Sequence, residues 1–173
     1  MDDLAAENAA LRSRVAELEA LVDRLERLAD SDTLTPLPNR RFFLRALERS
    51  VAAMTRHGTP AALLFVDVND LKRINDADGH AAGDAALVRV AQSLQRNVRA
   101  SDVVARLGGD EFGLLLDHLD LEAAQAKAAA LADAIAAGGG ASVSIGVTAL
   151  MPGDTADAAL ERADREMYRV KRG

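Results

Sequence analysis

Apolar residues recur every seven positions along the first thirty residues of the chain. Leu4, Leu11, Leu18 and Leu25 form one series, and Asn8, Val15, Val22 and Ala29 form the other, in which Asn8 is the one polar residue. Leucine at d with β-branched valine at a favours a parallel two-stranded coiled coil, and an asparagine at one a position fixes register and dimer state. The pattern predicts a homodimerisation helix over residues 1–30. The alternative is an amphipathic helix folded onto its own domain.

The charged residues that flank this seam support the dimer. Glu7 at a g position can meet Arg12 at an e position of a second copy, and Arg14 can meet Glu19 in the same way. Both pairings join opposite charges, as a parallel two-stranded coil requires.

After residue 30 the heptads give way to helix and strand periodicities. Pro36 and Pro38 rule out a continuous regular helix through the joint, and Asn39 is a good N-cap for the next helix. The predicted elements are a helix over about 40–56, a buried strand over 61–68, a polar connection over 69–80, a helix from 83 to about 97, two strands around a glycine turn at 108–109, a helix over 121–137, a strand over 141–148 and a helix over 155–171. This order predicts an α/β domain over residues 31–173, with an antiparallel hairpin in its sheet and helices covering it.

Composition and charge narrow the class of protein. Hydrophobic residues make up 49 % of the 173 residues, enough for a real core, and cysteine is absent, which excludes disulfides and thiolate metal sites. The longest apolar run, residues 61–66, is too short to span a membrane, and the acidic N-terminus lacks the apolar segment of a secretory signal. We therefore expect a cytoplasmic protein with no membrane partner.

The net charge of −6 is unevenly distributed. Residues 1–30 carry −4 and the remaining 143 residues carry −2. A nearly neutral domain argues against a general nucleic-acid surface, while it leaves room for a local cationic site that binds a nucleotide.

Two adjacent carboxylates, Asp110 and Glu111, follow two glycines between two apolar runs. Glycine tolerates positive φ and lets a ligand approach the backbone, so such a hairpin tip suits a metal ion and a phosphate. Asp67 ends the apolar strand, where a carboxylate is costly to bury unless it is paired or bound to metal. If the strands are neighbours, the three carboxylates converge into a site that fits Mg²⁺. An ordinary surface hairpin and a turn-capping Asp67 remain the alternatives.

Polar residues after the first strand suit a nucleotide. Lys72 is a natural phosphate partner. An aspartate can accept hydrogen bonds from guanine N1–H and the 2-amino group while an asparagine reads another edge, and Asp84 and Asn75 stand on either side of a glycine-containing loop. A solvated lysine, a turn and a helix cap are the more common uses of these residue types, and they stay open.

These motifs, in this order, resemble the GGDEF family, the diguanylate cyclases, over nearly all of residues 30–173. The matching segments are 32–41, the family's opening motif; 65–76, its first strand and loop; 79–80 and 83–84, its nucleotide loop; 108–112, its signature; 144–147, its late strand; and Ala163, Asp164, Tyr168 and Lys171 in its final helix. Pro36, Asn69 and Leu71 depart from the usual glycine, aspartate and phenylalanine without removing a ligand.

The resemblance implies a nucleotidyltransferase that condenses two GTP into cyclic di-GMP and releases pyrophosphate, with two domains facing each other. It implies that Asp67 and Asp110 bind Mg²⁺, or Mn²⁺, through carboxylates and Val68 through its carbonyl, and that Glu111 binds the metal or helps to deprotonate the 3′-hydroxyl. These carboxylates are the implied catalytic residues. The implied substrate contacts are Lys72 and Lys171 to phosphates, and Asn75 and Asp84 to guanine.

The resemblance also implies a product-inhibition site at Arg99 and Asp102, where cyclic di-GMP binds away from the active site. A helix-end salt bridge is the alternative for this pair. The alternative function for the whole chain is a non-catalytic module that binds GTP or cyclic di-GMP and signals through the coil.

Overall fold

The structure, a computed structural model, describes residues 2–139 and 141–172, without the side chains of residues 2–6, 9, 23 and 27. The chain divides into two compact units between Ser31 and Asp32. The helices are α1 Asp2–Asp30, α2 Arg40–His57, α3 Leu71–Asp78, α4 His80–Arg96, α5 Leu121–Ala137 and α6 Ala156–Arg172. The strands are β1 Ala61–Val68, β2 Val103–Arg106, β3 Glu111–Asp117 and β4 Val143–Ala149.

The first unit is one continuous helix, α1, with an exposed apolar seam. The five described leucines and valines of the heptad series are between 48 and 60 % exposed: Leu11, Val15, Leu18, Val22 and Leu25. The side chain of Leu4 lies outside the described residues. Within the helix, Arg14 forms an ion pair with Glu17 at 3.0 Å. Among the described residues, no helix is both long enough and apolar enough to cross a membrane.

The second unit is built on a four-stranded antiparallel sheet in the order β2-β3-β1-β4. The predicted buried strand is confirmed as β1, and all eight of its residues are buried. The predicted hairpin is also confirmed, with β2 at the sheet edge and β3 beside β1. In this register Asp67 lies opposite Glu111. The backbone N–H of Val68 donates to the carbonyl of Asp110 at 2.9 Å.

Helices cover both faces of the sheet, and the mixed α/β class is confirmed. One core cluster joins the sheet to α4 and α5, and the other joins it to α2 and α6. Side chains alternate across a strand. Leu63 and Phe65 belong to the α2/α6 cluster, so Asp67 points to that face as well. Leu115 places Glu111 on the same face by the same alternation. The pleat therefore brings both carboxylates to the side of the sheet on which α6 packs.

The predicted polar connection after β1 is wrong in one respect, because it forms a helix, α3. The predicted start of the next helix at Gly83 is also wrong, since α4 begins at His80. Asp70, with φ 57°, precedes α3, and Gly79, with φ 85°, separates the two helices. No residue of α3 is buried. Its apolar residues Leu71 and Ile74 are only partly buried, and a helix of eight residues is too short for its periodicity to be recognised in the sequence.

The segment between α1 and α2 contains the helix cap that the sequence predicts. The predicted N-cap is confirmed, because the Asn39 side chain accepts a hydrogen bond from the Phe42 N–H at 3.2 Å. Gly58, in the left-handed conformation, ends α2. The carbonyl of Pro38 accepts from the N–H of Arg106 at 2.9 Å, which attaches the proline segment to edge strand β2.

Arg162 ties the loop before α6 to β4. Its guanidinium donates to Asp154 at 3.0 and 2.7 Å and to the carbonyl of Ala149 at 2.9 Å, and its Nε donates to the hydroxyl of Thr148 at 2.6 Å. The hydrogen bonds from Arg162 lower the pKa of the Asp154 carboxyl, against the opposing effect of burial, and the N–H of Met151 lowers it further.

Replacing Asp154 by asparagine should lower the free energy of unfolding at neutral pH by about 2 kcal/mol, because a largely buried charge-assisted pair is broken. The folded-state pKa of Asp154 lies below its unfolded value. The contribution of its charge is therefore complete above the unfolded pKa and disappears as the pH falls through the folded pKa. Urea unfolding at neutral pH and below about pH 3 should show the difference between wild type and D154N shrinking in acid. An equal difference at both pH values would contradict this role of the ion pair.

Candidate active site

A buried carboxylate and an ammonium meet where β1 ends. Asp67 is only 8 % exposed, and the Nζ of Lys171, in the last turn of α6, forms an ion pair with its carboxylate. The pairing offsets the cost of burying the charge of Asp67. The hydrogen bond to Asp67 raises the pKa of Lys171 against the effect of burial, and the charges of Asp67, Asp110 and Asp70 raise it further.

Glu111, opposite Asp67, stands among other acids. Burial raises the pKa of its carboxyl, and the negative charges of Asp110, Asp164 and Asp67 raise it further, while Arg40 opposes them. Sequence reasoning gave no site role to Asp164. The spacing between Asp164 and Lys171 could have indicated such a role, because residues seven apart share one face of a helix. The site is therefore a concentration of negative charge to which α6 contributes both an acid and a lysine.

One of the two roles predicted for the turn glycines, a positive φ, is wrong, and the other, close approach of a ligand to the backbone, stays a prediction. Neither Gly108 nor Gly109 adopts positive φ. A Cβ atom at Gly108 would lie 2.7 Å from Oε2 of Glu111, whereas one at Gly109 would meet open space. The N–H of Leu107 donates to the Glu111 carbonyl at 2.8 Å and closes the turn. Gly108 thus leaves the space that the Glu111 carboxylate occupies, and a Cβ atom there would make the end of that side chain shift.

Arg106 braces this turn from the end of β2. Its guanidinium donates to the carbonyl of Gly109 at 2.8 Å and to the carboxylate of Asp32 at 3.2 and 3.4 Å. Burial raises the pKa of Asp32, but the hydrogen bonds from Thr35 and Arg106 outweigh it, so the pKa is lowered. The turn is therefore fixed to the first residue of the second unit. Sequence reasoning missed this contact, which joins residues 74 positions apart.

Asn69 fixes the backbone that follows Val68. Its N–H donates to the carbonyl of Ser142 at 2.9 Å, its side-chain amide donates to the hydroxyl of Ser142 at 3.1 Å, and its side-chain oxygen accepts from Ser144 at 2.9 Å. An ionised aspartate at this position could only accept hydrogen bonds. Asparagine therefore satisfies both serines and holds the start of the loop against β4.

The residues expected to contact the nucleotide lie on α3 and α4. Gly83 is buried in α4, and a Cβ atom there would overlap the carboxamide of Asn75. Asn75 therefore packs against the backbone of α4 at Gly83. The residue after Gly83, Asp84, is exposed. Lys72 is exposed in the first turn of α3, soon after the end of β1. The structure brings Asn75 to the Gly83–Asp84 segment and leaves Lys72 open to solvent.

The donor set suits a hard divalent cation. In the described part of the chain, no three histidine, cysteine, aspartate or glutamate side chains are already arranged to hold a metal ion. The oxygen atoms available are nevertheless those that Mg²⁺ prefers, namely carboxylates and a backbone carbonyl. The acidic neighbours that raise the pKa of Glu111 show an excess of negative charge that a divalent cation would relieve. The residues present therefore fit Mg²⁺.

Arg99 and Asp102 lie between α4 and β2, and Asp67, Asp110 and Glu111 do not line the clefts that this pair borders. The Asp102 carboxylate accepts from the Arg99 N–H at 2.9 Å, and the N–H of Asp102 donates to the Arg99 carbonyl at 3.0 Å. Both residues border two clefts of about 240 and 370 Å³. Lys127 lines the smaller cleft, and Phe42 lines the larger.

The chain is similar in sequence to known cyclases. The sequence model of the family described as "Diguanylate cyclase, GGDEF domain" matches residues 29–173. The chain is 42 % identical over 175 residues to diguanylate cyclase TpbB of Pseudomonas aeruginosa, across 94 % of this chain and 40 % of that protein. It therefore spans less than half the length of that curated relative.

Two solved structures share the fold along nearly the whole chain. The coiled coil and GGDEF domain of DgcB from Caulobacter crescentus, in complex with c-di-GMP, gives a TM-score of 0.87 at 28 % identity, covering 98 % of this chain and 95 % of that chain. Diguanylate cyclase SiaD from Pseudomonas aeruginosa, in complex with its activator SiaC, gives 0.79 at 29 % identity, covering 98 % and 73 %.

Proposed function

The chain belongs to the GGDEF-domain family of diguanylate cyclases, and we propose that it condenses two GTP molecules into cyclic di-GMP and two pyrophosphates. The observation that carries this proposal is the register of β1 and β3, which sets Asp67 opposite Glu111 with Asp110 adjacent. A sheet end with three acids suits a metal-bound triphosphate better than it suits a structural hairpin tip.

The reaction needs two nucleotides held head to tail. The 3′-hydroxyl oxygen of one GTP forms a bond to the α-phosphorus of the other, the bond to pyrophosphate breaks, and the hydroxyl loses its proton. The same step in the opposite direction closes the ring. In such phosphoryl-type transfers, enzymes accelerate the reaction mainly by positioning the reacting groups and neutralising their negative charge. Each domain would hold one GTP, so two chains are required for each product.

We assign the metal site to Asp67, Asp110, Glu111 and the carbonyl of Val68. Mg²⁺ bound there, or Mn²⁺ in its place, would neutralise the triphosphate and polarise the α-phosphorus. Asn69 holds the backbone beside Val68 in place through Ser142 and Ser144. Glu111, at the start of β3, either holds the metal or accepts the proton of the 3′-hydroxyl.

The nucleotide contacts follow the loop and the two helices after β1. We assign Lys72 and Lys171 to the β- and γ-phosphates and the pair Asn75 and Asp84 to the guanine base. The packing of Asn75 on Gly83 supports this assignment, because it sets the Asn75 carboxamide against the residue that precedes Asp84 in α4. An aspartate can accept from both guanine N1–H and the 2-amino group, which adenine cannot match.

Replacement of Gly83 by alanine tests the guanine assignment. The added methyl group would displace the Asn75 carboxamide, so we expect the KM for GTP to rise about tenfold. The melting temperature should stay the same or increase, because alanine is the better helix former. Ala85→Ser, on the exposed surface of the same helix, is the control and should leave KM unchanged. An unaltered KM in G83A would remove Asn75 from the guanine site.

Product analysis with mixed purines tests the proposed function. With Mg²⁺ and equal amounts of GTP and ATP, cyclic di-GMP should be the only cyclic dinucleotide. A mixed cyclic dinucleotide would contradict guanine selection by Asp84. Tight GTP binding without any cyclic product would favour the non-catalytic signalling module.

We further propose that residues 1–30 join two chains as a parallel coiled coil and that residues 31–173 form the cyclase domain. The exposed heptad leucines and valines support this division, and the DgcB structure contains a coiled coil and a GGDEF domain. Burying the seam between two helices removes apolar surface from water. It would also keep two GTP sites at high effective concentration.

We propose product inhibition at Arg99 and Asp102. Arginine suits the guanine edge and the phosphates of cyclic di-GMP, and the clefts that border the pair are not lined by Asp67, Asp110 or Glu111. Product bound there would leave the active site itself open. The DgcB structure was solved with c-di-GMP.

A further inference from the structure

Lys171 holds the carboxylate that a metal ion would also need. We propose that Lys171 is a resident counter-ion of Asp67, which must leave that carboxylate before a divalent cation binds and is then received by the phosphates of the incoming nucleotide. The inference rests on the proposed function, because Asp67 is assigned there as a metal ligand. It adds that the Lys171 side chain weakens the binding of the metal alone and strengthens the binding of the metal–nucleotide complex.

The surroundings of Asp67 explain why it needs a counter-ion. Its side chain is 11 % exposed, on the face of the sheet that α6 covers. An unpaired carboxylate in such a position is strongly disfavoured. The Lys171 ammonium supplies the compensating charge and also lies within the electrostatic reach of Asp110 and Asp70.

Lys171 can leave without disturbing the fold. Its side chain is 40 % exposed, and it projects from the last turn of α6. A lysine ammonium sits on a flexible four-carbon stem. The ammonium can therefore move from the carboxylate to a nearby phosphate while α6 stays packed on the sheet through Ala163 and Met167.

The ion pair of Lys171 with Asp67 and its later contact with phosphate have opposite effects on two ligands, Mg²⁺ alone and the metal–nucleotide complex. Mg²⁺ alone must displace the ammonium into water, so Lys171 weakens its binding. A metal–triphosphate complex provides anionic oxygen atoms for the displaced ammonium, so Lys171 strengthens its binding. Metal and nucleotide should consequently bind with positive coupling. A lysine that only bound phosphate would not affect the metal alone, and one that only stabilised the fold would weaken both ligands when removed.

Calorimetric titration of the full chain with MgCl₂, in the absence of nucleotide, tests the proposal. We expect Lys171→Met to bind Mg²⁺ about tenfold more tightly than wild type. We expect the same variant to bind a non-hydrolysable GTP analogue with Mg²⁺ about tenfold more weakly. Lys72→Met is the matched control: it removes the same charge from another assigned phosphate ligand that is exposed on α3. It should weaken the analogue but leave the affinity for Mg²⁺ alone unchanged.

If the methionine variant does not fold, Lys171→Gln replaces it in the same titrations. Glutamine removes the charge but can still donate a hydrogen bond to Asp67. Folding of each variant is checked by circular dichroism. An affinity for Mg²⁺ alone that is equal to or below that of wild type in the folded variant, including no detectable binding, would overturn the counter-ion role. If the analogue still binds wild type in that case, the proposed function stands. If neither wild type nor variants bind the analogue, the proposed function itself fails.

Discussion

Replacement of Asp67 by asparagine is expected to lower the rate of cyclic di-GMP formation about 10³-fold. Asp67 is the most buried of the three carboxylates, and the register sets it opposite Glu111. Asparagine has nearly the same shape but carries no charge, so the variant would keep the β1–β3 pairing and lose the ligand on which the metal site depends. Initial rates at saturating GTP and Mg²⁺ measure the effect.

Asp133→Asn is the control for this substitution, because it makes the same chemical change at an exposed position of α5. Its rate should match that of wild type. Circular dichroism should show that both variants are folded. A D67N rate within tenfold of wild type would remove Asp67 from the catalytic site and leave its pairing with Lys171 as a purely structural contact.

Replacement of Leu11 and Leu18 together by asparagine should lower the activity per chain about 100-fold at low protein concentration. Both leucines occupy the exposed apolar seam of α1. Polar side chains there would remove apolar surface that the proposed coil buries between its two helices. The two domains would then have to meet by diffusion, so activity per chain should recover as the protein concentration rises.

The measurement is activity per chain across a dilution series, with sedimentation to follow the dimer. Ala10→Asn combined with Ala20→Asn is the matched control, because these exposed positions of the same helix lie outside the seam. The control should remain dimeric and active on dilution. If activity per chain in the leucine variant were independent of dilution and equal to that of wild type, the coil would not be what joins the domains.

The parts of the fold that follow from local patterns were predictable. The run of apolar residues over 61–68 identified β1 because a strand buried on both faces has no polar side. The two glycines between apolar runs identified the hairpin. The helix α3 was missed because it has only eight residues and none of them is fully buried, so its apolar spacing is too short to stand out in the sequence. The turn itself was predicted, but the contact between Gly108 and the Glu111 carboxylate was not, since it depends on where that carboxylate lies.

The contacts that complete the site join residues far apart in sequence. Lys171 and Asp67 are 104 positions apart, and Arg106 and Asp32 are 74 apart. No local pattern predicts such pairs, because they depend on how α6 and the segment before α2 pack against the sheet. Lys171 was expected to contact phosphate, and its pairing with Asp67 became visible only in the folded chain.

We propose that two chains together turn two GTP into one cyclic di-GMP through this carboxylate site. The most direct test of this proposal is to incubate the full chain with GTP and Mg²⁺ and to quantify nucleotides by mass spectrometry and pyrophosphate by an enzymatic assay. Cyclic di-GMP accompanied by two equivalents of pyrophosphate is the expected result, with both products lost in D67N. Tight binding of GTP by the folded wild-type dimer with no cyclic dinucleotide formed would contradict it.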